Sequence, residues 1–197
     1  MSVSALSQFL EKPGIKHWNA FLHVLKYLKG TQNVGLTYNG NKCEAPVAYC
    51  DADWGNCHIT RPSVTGYLIK LFNNLVVWKT RKKPMVSLSS AEAKYKSLTD
   101  LGSKLMWFKQ FCKEVNILDE DNAIIVHEDN QGFINTANSN SNTNARRIKH
   151  INIQLHFIWE MIEDNKIKLL YTPSNRILAD FLTKSVFQPA LKGPCKA

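Results

Sequence analysis

Three strand-like runs in direct succession, residues 45–50, 64–71 and 75–80, constrain this chain more than any other feature. Strands that follow one another with no helix between them pair antiparallel, as a meander. Phe72-Asn73-Asn74 between the second and third reads as a hairpin-like turn. A helical pattern then runs from about Ser89 to Val115, followed by a strand at AIIVHE, a short helix after Asn130 and a polar loop, SNSNTNARR. A helix from about 148 to 164, a strand at KIKLLYT and a closing helix at ILADFLTK complete the chain. The order β-β-β-α-β-α-α-β-α predicts an α/β fold, in which a mixed sheet of a three-strand meander plus parallel strands is flanked by helices.

Upstream, residues 3–11 and 16–29 read as two short helices broken at Pro13-Gly14, with Trp18, Phe21, Leu22, Leu25 and Leu28 at helical spacing. A short extended piece, VGLTY, follows, and the polar NGNK at residues 39–42 marks a boundary. The expected division is a small helical N-terminal appendage over 1–42, a main domain over 43–189 and a tail over 190–197. A chain of 197 residues can bury a core of this size.

Lys and Arg outnumber Asp and Glu by 25 to 16, and the resulting formal charge of +9 favours a polyanionic partner such as nucleic acid. The five cysteines (Cys43, Cys50, Cys57, Cys112 and Cys195) form no C-x-x-C pair, which argues against a disulfide framework or a zinc site. Cys57 beside His58 lacks the second pair a metal site would need. No apolar run reaches membrane-spanning length, and the first residues lack the pattern of a signal peptide. The expectation is an intracellular protein of cytoplasm or nucleus with no membrane partner.

The acids fall in a pattern on this layout. Asp51 is placed at the end of the first strand in VAYCDADW, Asp129 at the end of the fourth in VHEDN, and Asp180 in the closing helix within LADF. Where central strands run parallel, their carboxyl ends lie along one edge of the layer, so three acids from distant sequence converge. Converging carboxylates repel unless a cation lies between them, and oxygen ligands suit a hard ion such as Mg²⁺. Two such ions roughly 3.5 to 4 Å apart support in-line attack of water on a phosphodiester. Taken singly, each acid also reads as an ordinary turn, helix cap or solvated residue.

The ordered series VAYCDADW, SSAEAKY, VHEDNQ, KHINIQLHFIWE and YTPSNRILADFLTK closely resembles the ribonuclease H region of copia-type retrotransposon polyproteins. HWNAFLHVLKYLKGTQNVGLTY is similar to the segment joining such a polymerase to its ribonuclease H, and the resemblance spans about residues 3 to 189. The paired-aspartate motif of the polymerase itself has no counterpart, since the chain contains no Asp-Asp. The resemblance implies a ribonuclease H fold, two Mg²⁺ ions with Mn²⁺ as substitute, and cleavage of the RNA strand of an RNA/DNA hybrid. It also implies an upstream reverse transcriptase in a parent polyprotein. By motif, Asp51, Asp129 and Asp180 match catalytic metal ligands, and Asp53 is left to support the loop or stay in water.

The fourth ligand of the family is a glutamate near the start of the long helix, where the pattern commonly reads E-A-E-Y. This chain has Glu92-Ala93-Lys94-Tyr95. Leu98, Leu101, Leu105 and Cys112 share the helix face of position 94, whereas Glu92 is turned from Lys94 by roughly 200°. An ammonium cannot ligate Mg²⁺ and would instead pair with Asp51, Asp129 or Asp180, making Lys94 a site-disrupting candidate. Three readings stand: Glu92 serves as ligand in a working nuclease, Lys94 leaves a folded domain of impaired activity, or the chain is a decayed copy that binds nucleic acid without catalysis. A transposase or integrase of similar fold fits less well, because the motifs after Asp129 follow the ribonuclease pattern.

Related enzymes often keep a histidine in the loop after the last strand, and Thr172-Pro173-Ser174-Asn175 has none. His150 could reach substrate but fits a structural role at a helix start. For the hybrid, or another nucleic acid, two basic clusters are candidates: Lys79, Arg81, Lys82 and Lys83 beside Trp78, and Arg146, Arg147 and Lys149. Trp18, Trp107, Phe108, Phe111 and Trp159 are expected in the core.

Overall fold

The computed structural model describes residues 2–40, 44–53, 63–83, 89–118, 122–138 and 152–184. The chain divides into two compact units, Met1–Asn39 and Gly40–Ala197. Cys57, His58, Arg146, Arg147, Lys149 and His150 lie outside the described residues.

The first unit is helical. A one-turn helix α1 (Ser2–Leu6) runs into a 3-10 turn (Ser7–Phe9), and α2 (Ile15–Gly30) follows Pro13-Gly14. Phe9 stacks on His17 with ring centroids 4.0 Å apart, which ties the turn to the first turn of α2. Trp18, Phe21, Leu22, Leu25 and Leu28 are all exposed, so the apolar stripe of α2 has no cover within this unit.

The second unit is built on a five-stranded sheet with β1 (Val47–Asp53), β2 (Val64–Leu71), β3 (Asn74–Lys82), β4 (Ile124–Glu128) and β5 (Ile167–Tyr171), in the order β3-β2-β1-β4-β5. The first three form the antiparallel meander, and β4 and β5 run parallel to β1. This is the mixed α/β sheet that the order of elements predicts. At the β2–β3 turn, Phe72 and Asn73 both take positive φ, 50° and 62°. Tight two-residue hairpins demand that conformation, because it matches the twist of the flanking strands.

The helix α3 (Ser90–Glu114) starts at Ser89, whose side chain accepts a hydrogen bond from Glu92 N. Its buried face, Leu98, Leu101, Leu105, Phe108 and Cys112, packs with Ala48, Cys50, Ile69, Ile124 and Val126 of the sheet. Between β4 and β5 come α4 (Gln131–Asn138) and α5 (Asn152–Glu163), and α5 adds Leu155, Ile158 and Met161 to the same core. Phe108 is buried, but Trp18, Trp107 and Phe111 are exposed, contrary to the core positions expected of them. Trp107 and Phe111 stand four apart on the flank of α3, where they stack on each other.

Two boundaries matter for the site. The first strand is longer than its apolar run, because pairing with β2 continues through Asp53↔Val64; Asp51 therefore lies inside the strand, opposite Gly66. The closing helix is a single turn, α6 (Asp180–Thr183), after a 3-10 turn at Ser174–Arg176. Tyr67 and Ile69 face the α3 side, so Gly66, next to Tyr67 on the strand, faces the other. There α6 rests so closely that a Cβ on Gly66 would lie 2.7 Å from Leu182 Cβ.

Candidate functional site

The parallel ladder between β1 and β4 ends at Tyr49↔His127, whereas β1 continues to Asp53. Beyond that pair the strands no longer share a ladder, and the acids gather there. Strand alternation turns Ile124, Val126 and Glu128 into the core, leaving Glu128 only 1% exposed. Asn130, not Asp129, caps α4, its side chain accepting from Phe133 N at 2.9 Å. Asp129 is thus released from capping and points its carboxylate elsewhere.

It points at Lys94. Lys94 Nζ lies 2.5 Å from Glu128 Oε1, 2.5 Å from Asp129 Oδ1 and 3.7 Å from Asp51 Oδ1. The face of α3 that carries Leu98 and Leu101 delivers this ammonium, as helical spacing requires. Glu92, two residues earlier, is paired with Lys96 at 2.7 Å. A second ammonium closes the other side: Lys184 Nζ is 2.7 Å from Asp180 Oδ1 and 3.6 Å from Asp51 Oδ2. Asp51, 2% exposed, therefore has one oxygen toward each lysine. Its Oδ2 also accepts a hydrogen bond from the buried Thr183 hydroxyl, and its main-chain carbonyl accepts one from Ser97 Oγ at 3.0 Å.

The remaining valences are well used. Glu128 Oε1 accepts from Asp129 N and Asn130 N, and Cys50 Sγ donates to Glu128 Oε2 at 3.4 Å. Ser174 Oγ, in the loop where a histidine is missing, donates to Asp129 Oδ2 at 2.7 Å. Burial works to raise the Asp129 carboxyl, but the hydrogen bonds from Lys94 and Ser174 overcome it and hold the group down at about 2. For Glu128 burial wins, and its carboxyl is raised despite Lys94. Asp180 is raised by burial and by the neighbouring charge of Asp51. Burial opposes the charge on Lys94, yet Glu128 and Asp129 hold its ammonium above the ordinary lysine range.

The structure brings together Asp51, Lys94, Asp129 and Asp180 from the sequence-predicted set, and adds Glu128, Thr183, Ser174 and Lys184. The alternation of AIIVHE could have revealed Glu128, whose position shares a face with two core residues; Lys184 stands four residues after Asp180, within reach on a helix. Chemically, the carboxylates suit a hard divalent ion. Their arrangement does not, because oxygens that would face the ion receive ammonium protons instead. Among the described residues no group of three or more Asp, Glu, His or Cys side chains is disposed to hold a metal.

Of the basic candidates, Lys79 and Arg81 are exposed on β3 beside an exposed Trp78. Lys82 is half-buried, and Lys83 pairs with Asp100. The Thr80 hydroxyl donates to Leu182 O, which ties this basic strand to the turn bearing Asp180. No helix among the described residues is long and apolar enough to cross a membrane.

No family model matches the chain. It is 35% identical, over 94% of its length and 14% of the relative's, to the retrovirus-related Pol polyprotein from transposon TNT 1-94 of Nicotiana tabacum. It is 30% identical to the Pol polyprotein from transposon RE2 of Arabidopsis thaliana, over 97% of this chain and 13% of that one. The chain thus spans about a seventh of the curated relatives it matches. In fold it is similar to LC11-RNase H1, solved in complex with an RNA/DNA hybrid, with a TM-score of 0.53 at 15% identity over 74% of this chain and 99% of that one. Relationship across nearly the whole sequence, joined to this sheet order and its flanking helices, shows a chain homologous to a stretch of the copia-type, retrovirus-related Pol polyproteins of transposons and folded like ribonuclease H domains.

Proposed function

We propose that this chain is a retroelement ribonuclease H-type domain that engages RNA/DNA hybrids, with hydrolysis of the RNA strand suppressed by Lys94. The observation that carries this reading is the position of Lys94 Nζ, 2.5 Å from both Glu128 and Asp129, among the carboxylates of a ribonuclease H-like sheet. Hydrolysis with two Mg²⁺ ions, or with Mn²⁺, needs Asp51, Asp129, Asp180 and a fourth acid to turn their oxygens to metal. Here those oxygens on Asp51 and Asp129 face an ammonium. Glu92, the acid left in the motif, is held by Lys96.

Binding is the part of the function that survives. Lys79, Arg81, Lys82 and Lys83 from β3 and its end, together with Arg146, Arg147 and Lys149, supply charge for the phosphate backbones, and a hybrid is read by shape and 2′-hydroxyls with slight sequence preference. The helical unit before the sheet is proposed as the end of the segment that joins an upstream reverse transcriptase to this domain.

The test is a labelled hybrid incubated with the purified chain and Mg²⁺ or Mn²⁺, beside Asp51→Asn and Glu92→Gln. The expected result is salt-sensitive binding with cleavage no greater than that of Asp51→Asn. Robust cleavage that Glu92→Gln abolishes would replace this reading with a working nuclease that uses Glu92.

A further inference from the structure

Two positive charges sit among four carboxylates in this cluster, and one carboxylate is shared between them. Lys94 Nζ contacts Glu128 and Asp129, Lys184 Nζ contacts Asp180, and Asp51 presents Oδ1 to the first at 3.7 Å and Oδ2 to the second at 3.6 Å. Asp51 and Glu128 are 2% and 1% exposed, so neither can be left to water for its counter-charge. Carboxylates buried this deeply persist in a fold only when paired and hydrogen-bonded.

We propose that Lys94 and Lys184 are the resident cations of this site, a pair of structural counter-ions bridged by Asp51, which makes the folded domain independent of divalent metal. The inference rests on the same cluster as the proposed function but requires no nucleic acid to be bound or cut. The two lysines arrive on different elements. Lys94 comes from α3 on one side of the sheet, and Lys184 directly follows α6, which packs on Gly66 on the other. Asp51 between them therefore links both layers through its two oxygens. Lys94 is the deeper partner, with a side chain 11% exposed, and Lys184 at 37% is the outer one. Loss of Lys94 should accordingly cost more than loss of Lys184.

Thermal melting of the full chain in excess EDTA and in millimolar MgCl₂ tests this without any activity. The parent should melt at the same temperature in both, within about 1 °C, since a ligand stabilises only if it binds the native state. Lys94→Met should lower the midpoint by about 10 °C or more, and Lys184→Met by less. The double variant should lose more than the sum, because either lysine alone still compensates Asp51 and only the double variant strips it of both. Lys94→Glu should melt low in EDTA and recover with MgCl₂; if it is unfolded in EDTA, a far-ultraviolet circular dichroism titration with MgCl₂ reads the same recovery as refolding. A parent whose melting temperature rises with MgCl₂, with the rise lost in Asp51→Asn, would overturn the proposal, as would a Lys94→Met variant as stable as the parent. A chain that fails to bind hybrid would defeat the proposed function and leave these melting results unchanged.

Discussion

At position 94 a four-carbon stem carries one positive charge into a space bounded by Glu128, Asp129 and Asp51, and the energetics of that space follow from burial. Removing one partner of a buried pair leaves an uncompensated charge, a cost on the order of 3–5 kcal/mol, so Lys94→Met should destabilise by roughly that amount at neutral pH. The sign of the pH dependence is set by the carboxylates. Asp129, held at about 2 against an unfolded value of about 3.9, contributes stability that is complete above the unfolded value and is lost as pH falls through about 2. Glu128 works oppositely: its raised carboxyl contributes stability below the unfolded value and loses it as pH rises through the folded one. Without Lys94 both acids would rise from their values in the parent, so protonating them would relieve the variant. The gap between parent and Lys94→Met, measured by urea denaturation, should therefore be widest near neutral pH and narrow steadily on acidification. A gap that stays constant would remove electrostatics as its cause. That Lys94 faces the acids is legible from its spacing to Leu98, Leu101 and Leu105; the ammonium's partner Glu128 is not, because the motif match in VHEDN singles out Asp129 alone.

Elements place these residues more tightly than hydrophobic pattern reveals. The apolar run of β1 stops at Cys50, yet the strand continues through Asp53, because β2 supplies a partner for every residue and Gly66 leaves room beside Asp51. The closing segment reads as a helix over ILADFLTK but forms one turn, held down by Thr80 to Leu182 O and Thr183 to Asp51. Tertiary hydrogen bonds, invisible to local pattern, decide both boundaries. Gly66→Ala should accordingly cost about 1–3 kcal/mol, since its Cβ would meet Leu182 Cβ at 2.7 Å and α6 must move to admit it. Gly102→Ala meets Met161 Sδ at 2.8 Å, in a flexible side chain that can yield, so it should cost less. Denaturant midpoints of the two variants check the ranking, and the reverse order would show that α6 is loosely seated. The parallel placement of β4 and β5 followed from alternation with helices, and their ladder with β1 has that direction.

For the whole molecule, a formal charge of +9 and a basic strand tied to the carboxylate cluster make hybrid binding the property to measure first. Lys79→Ala with Arg81→Ala should weaken binding at every sequence and lower the salt slope by about 1 to 2. An unchanged slope would move the hybrid to another face. The spacing of the apolar stripe gives α2 as a helix but not its exposure, since spacing shows which residues share a face and not what covers it. The resemblance was legible because its motifs are long and ordered, while the proposed loss of chemistry turns on one departure from the E-A-E-Y pattern, Lys94. Lys94→Glu tests that departure most directly, in a cleavage assay on a labelled RNA/DNA hybrid with Mg²⁺ titrated against parent and variant. The expected result is metal-dependent cleavage of the RNA strand by Lys94→Glu, at least tenfold above a near-silent parent, on the order of one metal interaction regained. A parent that cleaves as fast as the variant at every Mg²⁺ concentration would contradict the assignment of Lys94 as the group that suppresses this site.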